Sequence, residues 1–279
     1  NSESLTLRYD MQNQFTDITK LAQGLVLNNF SNIQFGEPEL QNALSHNLSL
    51  LYSSFNLFNY TNVFARLAYS KNIDQIRNIT SFENVISTNT FFNSNFADES
   101  ATAFGRIQRT FGKLIASVNL SFNYSKINQL IDSRRSVNTG FTRSYTPRLR
   151  TNFKKAPNIS LKYKYTVSIN NQGPNETTFY TSAPSLDFDA YIWKSVTLKT
   201  DYTFTNQSLR GGNSDNFQTW NASISYRKNR DTKWEFEVVA TNLLDIDSKV
   251  SNTATNLFVS ESRIFIQPRF ITFRLRYEL

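Results

Sequence analysis

His46 is the only histidine in a chain of 279 residues that has no cysteine. Those two counts remove multi-histidine metal sites, thiolate zinc, disulfides and a Cys nucleophile together. His46 lies between Ser45 and Asn47, the residue types of a nucleophile, a base and an orienting group for ester hydrolysis. In an extended strand adjacent side chains point to opposite faces, so neither neighbour can reach the imidazole as its nucleophile or orienting partner. The acid pairs Asp187/Asp189 and Glu235/Glu237 do share a face at i and i+2, but acid-assisted proteolysis on such a face also needs a histidine there, and none is available. Asp245 and Asp247 lack the glycine and terminal Glu of a calcium loop. The chain is expected to be no enzyme and to hold no cofactor or metal.

The elements that position these residues repeat every two positions. In Leu114–Tyr124 the even positions Leu114, Ala116, Val118, Leu120, Phe122 and Tyr124 are apolar, and Ser or Asn stands at most positions between them. Ile159–Asn170 repeats the pattern with Lys162 and Lys164 on the polar side. Further strands are predicted at Leu5–Met11, Leu44–Tyr52, Val63–Ile73, Phe141–Phe153, Val196–Phe204, Trp220–Tyr226 and Trp234–Leu244, about twelve in all. Many span 9–13 residues, the length a tilted strand needs to cross a bilayer, whereas soluble strands average about 5–6. No window approaches the roughly 20 apolar residues of a membrane helix. Short turns near Leu57–Tyr60, Phe111–Lys113, Lys154–Asn158, Trp193–Ser195 and Asn229–Lys233 alternate with the longer links 13–43, 74–90, 126–138, 173–177, 209–215 and 245–257, which are expected to be ligand-contacting loops on the opposite side. Phe55, Phe58, Tyr60, Phe111, Phe153, Trp193 and Trp234 are predicted to form one aromatic belt, and Tyr69, Tyr124, Tyr145, Phe204, Phe217 and Trp220 the other.

Net charge is +8 and the sequence pI is about 9.6. The basic residues are spread over successive strands instead of clustering with aromatics on one surface, which argues against nucleic acid. Strand parity places Arg8, Arg66, Arg148, Arg150, Lys162, Lys164, Lys199, Arg227, Arg274 and Arg276 on the wet face, with Asp187, Asp189, Asp201, Glu235 and Glu237 among them. Burying Lys or Arg at a bilayer midplane costs roughly 2–4 kcal/mol, so the charges are expected to line a lumen. There they pair across strands, contact a plug, or draw in anionic solutes.

The tail Gln267–Leu279 alternates strictly from Ile271, with Ile271, Phe273, Leu275, Tyr277 and Leu279 on one face. It resembles the closing strand and assembly signal of TonB-dependent outer-membrane receptors, with Leu279 in place of their terminal Phe. Asn242-Leu243-Leu244-Asp245 is similar to the segment that ends the penultimate strand in that family. Gly36-Glu37-Pro38-Glu39-Leu40 resembles its Gly-Asn-Pro-x-Leu turn, with Gly36, Pro38 and Leu40 matching; there Gly36 is expected to supply an unusual φ and Pro38 to fix the approach to the next strand. The Asn- and Tyr-rich style looks like receptors of the Bacteroidota, including the starch-utilisation type.

The resemblance implies an all-β antiparallel transmembrane β-barrel, with about twelve strands visible as the C-terminal part of a 22-stranded plugged barrel. Residues 1–279 would form a single partial barrel domain without a plug. The expected function is energised uptake of a bulky nutrient, of glycan, peptide or siderophore type, across the outer membrane of a Gram-negative bacterium. The implied partners are outer-membrane lipid, a plug domain, TonB and a surface lipoprotein lid. A self-contained passive barrel of about twelve strands is the alternative. An enzyme resembling the outer-membrane phospholipases, twelve-stranded barrels that use Ser, His and Asn, ranks third. The fragment is preferred because the chain opens inside a strand, Ser2 to Gln12.

Overall fold

The computed structural model describes residues 2–30, 32–83, 86–131, 134–154, 157–193, 195–212, 214–229, 231–254 and 259–278. Twelve strands form one antiparallel sheet in chain order. They are β1 (Ser2–Gln14), β4 (Ala43–Asn56), β5 (Thr61–Ile73), β8 (Asp98–Phe111), β9 (Leu114–Ile131), β10 (Arg134–Thr151), β11 (Asn158–Gln172), β12 (Asn175–Ile192), β13 (Val196–Leu209), β14 (Ser214–Tyr226), β15 (Trp234–Thr241) and β18 (Phe270–Tyr277). The expected all-β antiparallel architecture is therefore the one observed. Between β1 and β4 lie the one-turn helix α1 (Ile18–Leu21) and the strands β2 (Leu25–Asn29) and β3 (Asn32–Phe35). Between β5 and β8 lie β6 (Gln75–Glu83) and β7 (Ile86–Ser94), and between β15 and β18 lie β16 (Ser248–Ala254) and β17 (Val259–Phe265). Among the described residues β1 pairs only with β4, and β18 only with β15.

The pairing carries one apolar row across the sheet. Val63 stands opposite Ile107, Ile107 opposite Val118, and Val118 opposite Pro147. The same parity runs on to Leu161 opposite Leu186, and at the far edge to Trp234 opposite Tyr277 and Phe236 opposite Leu275. Because side chains alternate, one such match fixes every face along a strand. Leu5, Leu7, Leu161, Ile224 and Phe273 are each more than half exposed on this apolar face.

The long links differ from the loops expected of them. Residues 126–138 are mostly the continuation of β9 and β10, which pair as far as Arg134 opposite Ile131. Only 173–174 separate β11 from β12, and β16 and β17 form a hairpin of their own. In the first two excursions β2, β3, β7 and β6 make a separate four-stranded sheet, in which β3 and β7 run parallel. Hydrogen-bonding groups on chain that leaves the main sheet still need partners, and pairing two excursions with each other supplies them.

Gly36 sits at the exit of that small sheet for a reason other than the expected one. Its φ is not in the left-handed region. A Cβ at this position would instead lie 2.4 Å from the Ala22 carbonyl oxygen and 2.8 Å from that of Lys20. The absence of a side chain lets Glu37 N–H donate to the Lys20 carbonyl at 2.7 Å. Pro38 follows in a turn closed by Leu40 N–H to the Glu37 carbonyl, and β4 begins three residues later.

Candidate functional site

The polar face is zoned by charge. Arg66 on β5, Arg106 on β8, Arg148 and Arg150 on β10, and Lys162 and Lys164 on β11 share its parity. Carboxylates follow on the next strands, with Asp187 and Asp189 on β12, Asp201 on β13, and Glu235 and Glu237 on β15. Arg274 and Arg276 on β18 then close against the last of these. Arg276 lies 3.1 Å from Glu237 and 3.7 Å from Glu235, and Arg274 lies 3.5 Å from Glu237. Lys199 is directly opposite Asp189. At the boundary between the zones Arg148 reaches Asp187 at 3.5 Å and donates to Ser160 Oγ at 2.9 Å. Asp187 also faces Asp201, whose carboxylate accepts from Asn221 at 2.9 Å. The arginines of these pairs are 40–55% exposed, and an ion pair with one partner in solvent contributes about 0–1 kcal/mol, so the zoning matters as a field acting on solutes more than as a source of stability.

Arg227 keeps the polar parity of Ser225 one residue past the end of β14. It lies in the turn after β14, where Nε donates to the Thr232 carbonyl at 2.9 Å and the two terminal nitrogens grip Glu278 at 3.0 and 2.6 Å. That grip, chiefly the hydrogen bond and then the charge, holds the Glu278 carboxyl below its ordinary pKa. A carboxyl lowered in the folded state stabilises above its unfolded pKa, about 4.3, and loses that contribution as pH falls through the lower folded value. Glu278→Gln should therefore melt below the parent at pH 6 in detergent, and the gap should shrink as pH is taken below the ordinary carboxyl range of about 4.3. A gap that stays constant with pH would rule the linkage out.

Two aromatics expected in the belts face the other way. Phe55 is opposite Asn62, and Phe217 is opposite Thr205 on the polar face with Lys249 Nζ 5.9 Å from its ring. Conversely, a few charges share the apolar parity. Lys71, Glu99 and Lys126 form one row near the excursion end, and Arg143 lies between Phe122 and Val167. Long stems let such charges reach a polar boundary while covering apolar neighbours. His46 also lies on the apolar face, opposite Met11, with Nδ1 2.7 Å from the Tyr9 hydroxyl.

A depression of about 750 Å³ lies on the apolar face around Val118, Pro147, Leu149, Tyr163, Pro184 and Leu186. Pro147 and Pro184 bring no N–H to their ladders, and the pairing of β10 with β11 and of β12 with β13 is interrupted at these two positions.

The tail and the Asn242 segment form one unit. Ile271, Phe273, Leu275 and Tyr277 share the apolar face opposite Ala240, Val238, Phe236 and Trp234; Leu279 is outside the described residues. Asn242 is 6% exposed and has φ +52°. Its Nδ2 donates to the Ile246 and Gln267 carbonyls, and its Oδ1 accepts from Ile246 N–H at 3.0 Å. Asp245 Oδ1 accepts from Arg269 N–H at 2.9 Å. The segment thus staples both ends of the β16–β17 excursion. Asn242→Ala should cost about 1–3 kcal/mol, from orphaned carbonyls and a left-handed backbone that Asn tolerates better. Chemical unfolding in detergent measures this; a change below about 0.5 kcal/mol would refute the staple.

No family model matches the chain, and no curated protein matches it. Two solved structures of OmpT, an outer membrane protein of Vibrio cholerae, are similar along the whole length. The in-vitro folded trimer form has a TM-score of 0.43 and 8% identity, covering 99% of each chain. The outer-membrane expressed form has a TM-score of 0.42 and 8% identity, covering 99% of this chain and 98% of that one. Similarity at this level leaves the architecture to rest on the strand register alone.

Proposed function

We propose that the chain is membrane-spanning β-barrel wall in the outer membrane of a Gram-negative bacterium, and that it serves energised uptake of a bulky nutrient in the manner of TonB-dependent receptors. The observation that carries the membrane reading is the two-faced twelve-stranded meander. Its apolar face leaves Leu, Ile, Phe and Tyr side chains widely exposed, an arrangement that invites aggregation in water and suits lipid. The other face carries Ser, Thr, Asn and the zoned charges, as a solute-facing wall does. Two edge strands with one neighbour each are compatible with a wall completed by further strands, or with mutual pairing of β1 and β18 in a passive twelve-stranded barrel. The plug, TonB and a lipoprotein lid come into this reading from the motif resemblance. No catalysis is assigned, since His46 faces lipid and is engaged by Tyr9.

The membrane reading predicts outer-membrane fractionation and heat-modifiable migration of the full-length protein; a chain that stays soluble without detergent would end it. The energised reading predicts that the purified full-length protein binds the C-terminal domain of TonB. Absence of that complex together with steady ion conductance in planar bilayers would favour the passive barrel.

A further inference from the structure

One part of the polar face is built unlike the rest. Phe64 and Arg66 on β5 and Phe104 and Arg106 on β8 form a square in which rings and cations alternate in both directions. Phe64 stands opposite Arg106, and Arg66 opposite Phe104. The two rings meet at a centroid distance of 5.9 Å with planes tilted by 58°, yet Phe64 and Phe104 remain 37% and 41% exposed. Directly opposed residues lie about 5 Å apart and same-face neighbours along a strand about 7 Å apart, so the square is the size of one or two fused rings with an acidic group.

The charges in the square are not neutralised from within. Arg66 has no hydrogen-bond or ion-pair partner among the described residues, and Arg106 donates only to the neutral Gln108 side chain at 2.6 Å. The next positions across the strands are Leu51 opposite Arg66, Ser53 opposite Phe64, Asn119 opposite Arg106 and Ser121 opposite Phe104, none of them charged. Arg66 and Arg106 stand at diagonal corners, about 7–8 Å apart at the backbone, and two like charges at that range without a carboxylate repel each other, which a bound anion relieves. Exposed rings beside them gain by covering a flat apolar body, through burial and stacking. Guanidinium forks match a carboxylate's two oxygens.

We propose that this square is a binding site for an organic anion with a flat, apolar ring body, its acidic group held by Arg66 and Arg106 and its ring laid on Phe64 and Phe104. The proposal rests on the barrel reading only in taking the polar face to be open to solute. A plug segment or a second copy of the chain as occupant would leave the square closed to small molecules.

Equilibrium dialysis of the full-length protein in detergent tests it with 2-naphthoate as the probe, and with acetate and 2-naphthylmethanol as controls that lack the ring or the charge. Naphthoate should bind saturably and at least tenfold more tightly than either control. The pair Arg66→Gln/Arg106→Gln and the pair Phe64→Ser/Phe104→Ser should each weaken it at least tenfold while heat-modifiable migration is retained. No saturable naphthoate binding, equal binding of the uncharged alcohol, or binding unchanged in both variants would overturn the site. Dialysis reads binding wherever the protein resides. Loss of binding in a protein that passes the membrane test therefore removes the site alone, and binding by a protein that fails it removes the barrel reading alone.

Discussion

Asp98→Ala should destabilise the excursion end of the sheet by about 3–5 kcal/mol, the range for stripping one partner from a buried ion pair. Asp98 lies at the first residue of β8, and its carboxylate is 2.6 Å from Arg77 on β6, with both side chains only about 15% exposed. The same oxygen accepts the Asn128 N–H at 2.8 Å. Asn128, itself 1% exposed, donates through Nδ2 to the Ala97 carbonyl and accepts from Arg135, whose guanidinium lies 4.1 Å from the Phe96 ring. Asp98 thus ties the β6–β7 excursion to the β9–β10 hairpin. Removing it leaves a charge without its carboxylate and a backbone N–H without an acceptor, and each defect is costly in a largely buried site. Limited proteolysis should then cut within residues 74–97 while the main sheet stays resistant. Asp98→Asn should retain the N–H contact and lose less. Equal protease resistance of Asp98→Ala and the parent would show that the pair does not hold the excursion.

Val118→Arg is the second large effect, roughly 2–4 kcal/mol if the apolar face meets the bilayer. Val118 is the fifth residue of β9 counted from its short turn, and it lies between Ile107 and Pro147 on the apolar face. Asn123→Arg on the same strand provides the control, because Asn123 faces the polar side between Thr102 and Thr142. The expected result is loss of the heat-modifiable folded band for Val118→Arg and its retention for Asn123→Arg. If the two variants assemble equally well, the apolar face does not meet lipid.

Much of this was legible in the one-dimensional pattern. The alternation of Leu114–Tyr124 and Ile159–Ile169 located β9 and β11 and assigned their faces, because side-chain direction in a strand depends only on position parity. Arg148, Arg150, Lys162 and Lys164 fell together on one face by the same count, and the register places them on the polar one. Parity failed where two apolar residues adjoin. The adjoining Leu50-Leu51 conceal that Leu51 faces the polar side opposite Arg66, and Phe55, although flanked by Ser54 and Asn56, also faces that side, opposite Asn62. The square of Phe64, Arg66, Phe104 and Arg106 could not be seen at all, since its alternation across strands exists only once β5 and β8 are in register. Gly36 was singled out correctly, but for φ, when its actual constraint is the backbone of residues 20–22.

The sequence by itself determined most strands of the main sheet, their two faces by parity, and the absence of cysteine and multi-histidine chemistry, all of which depend on residue type and local spacing. Only the tertiary structure decided the pairing of β3 with β7, the Arg77–Asp98–Asn128 knot and which cations meet carboxylates. Each of those joins groups on separate segments of chain, and their contact depends on strand register and on how the excursions close, which no local preference encodes.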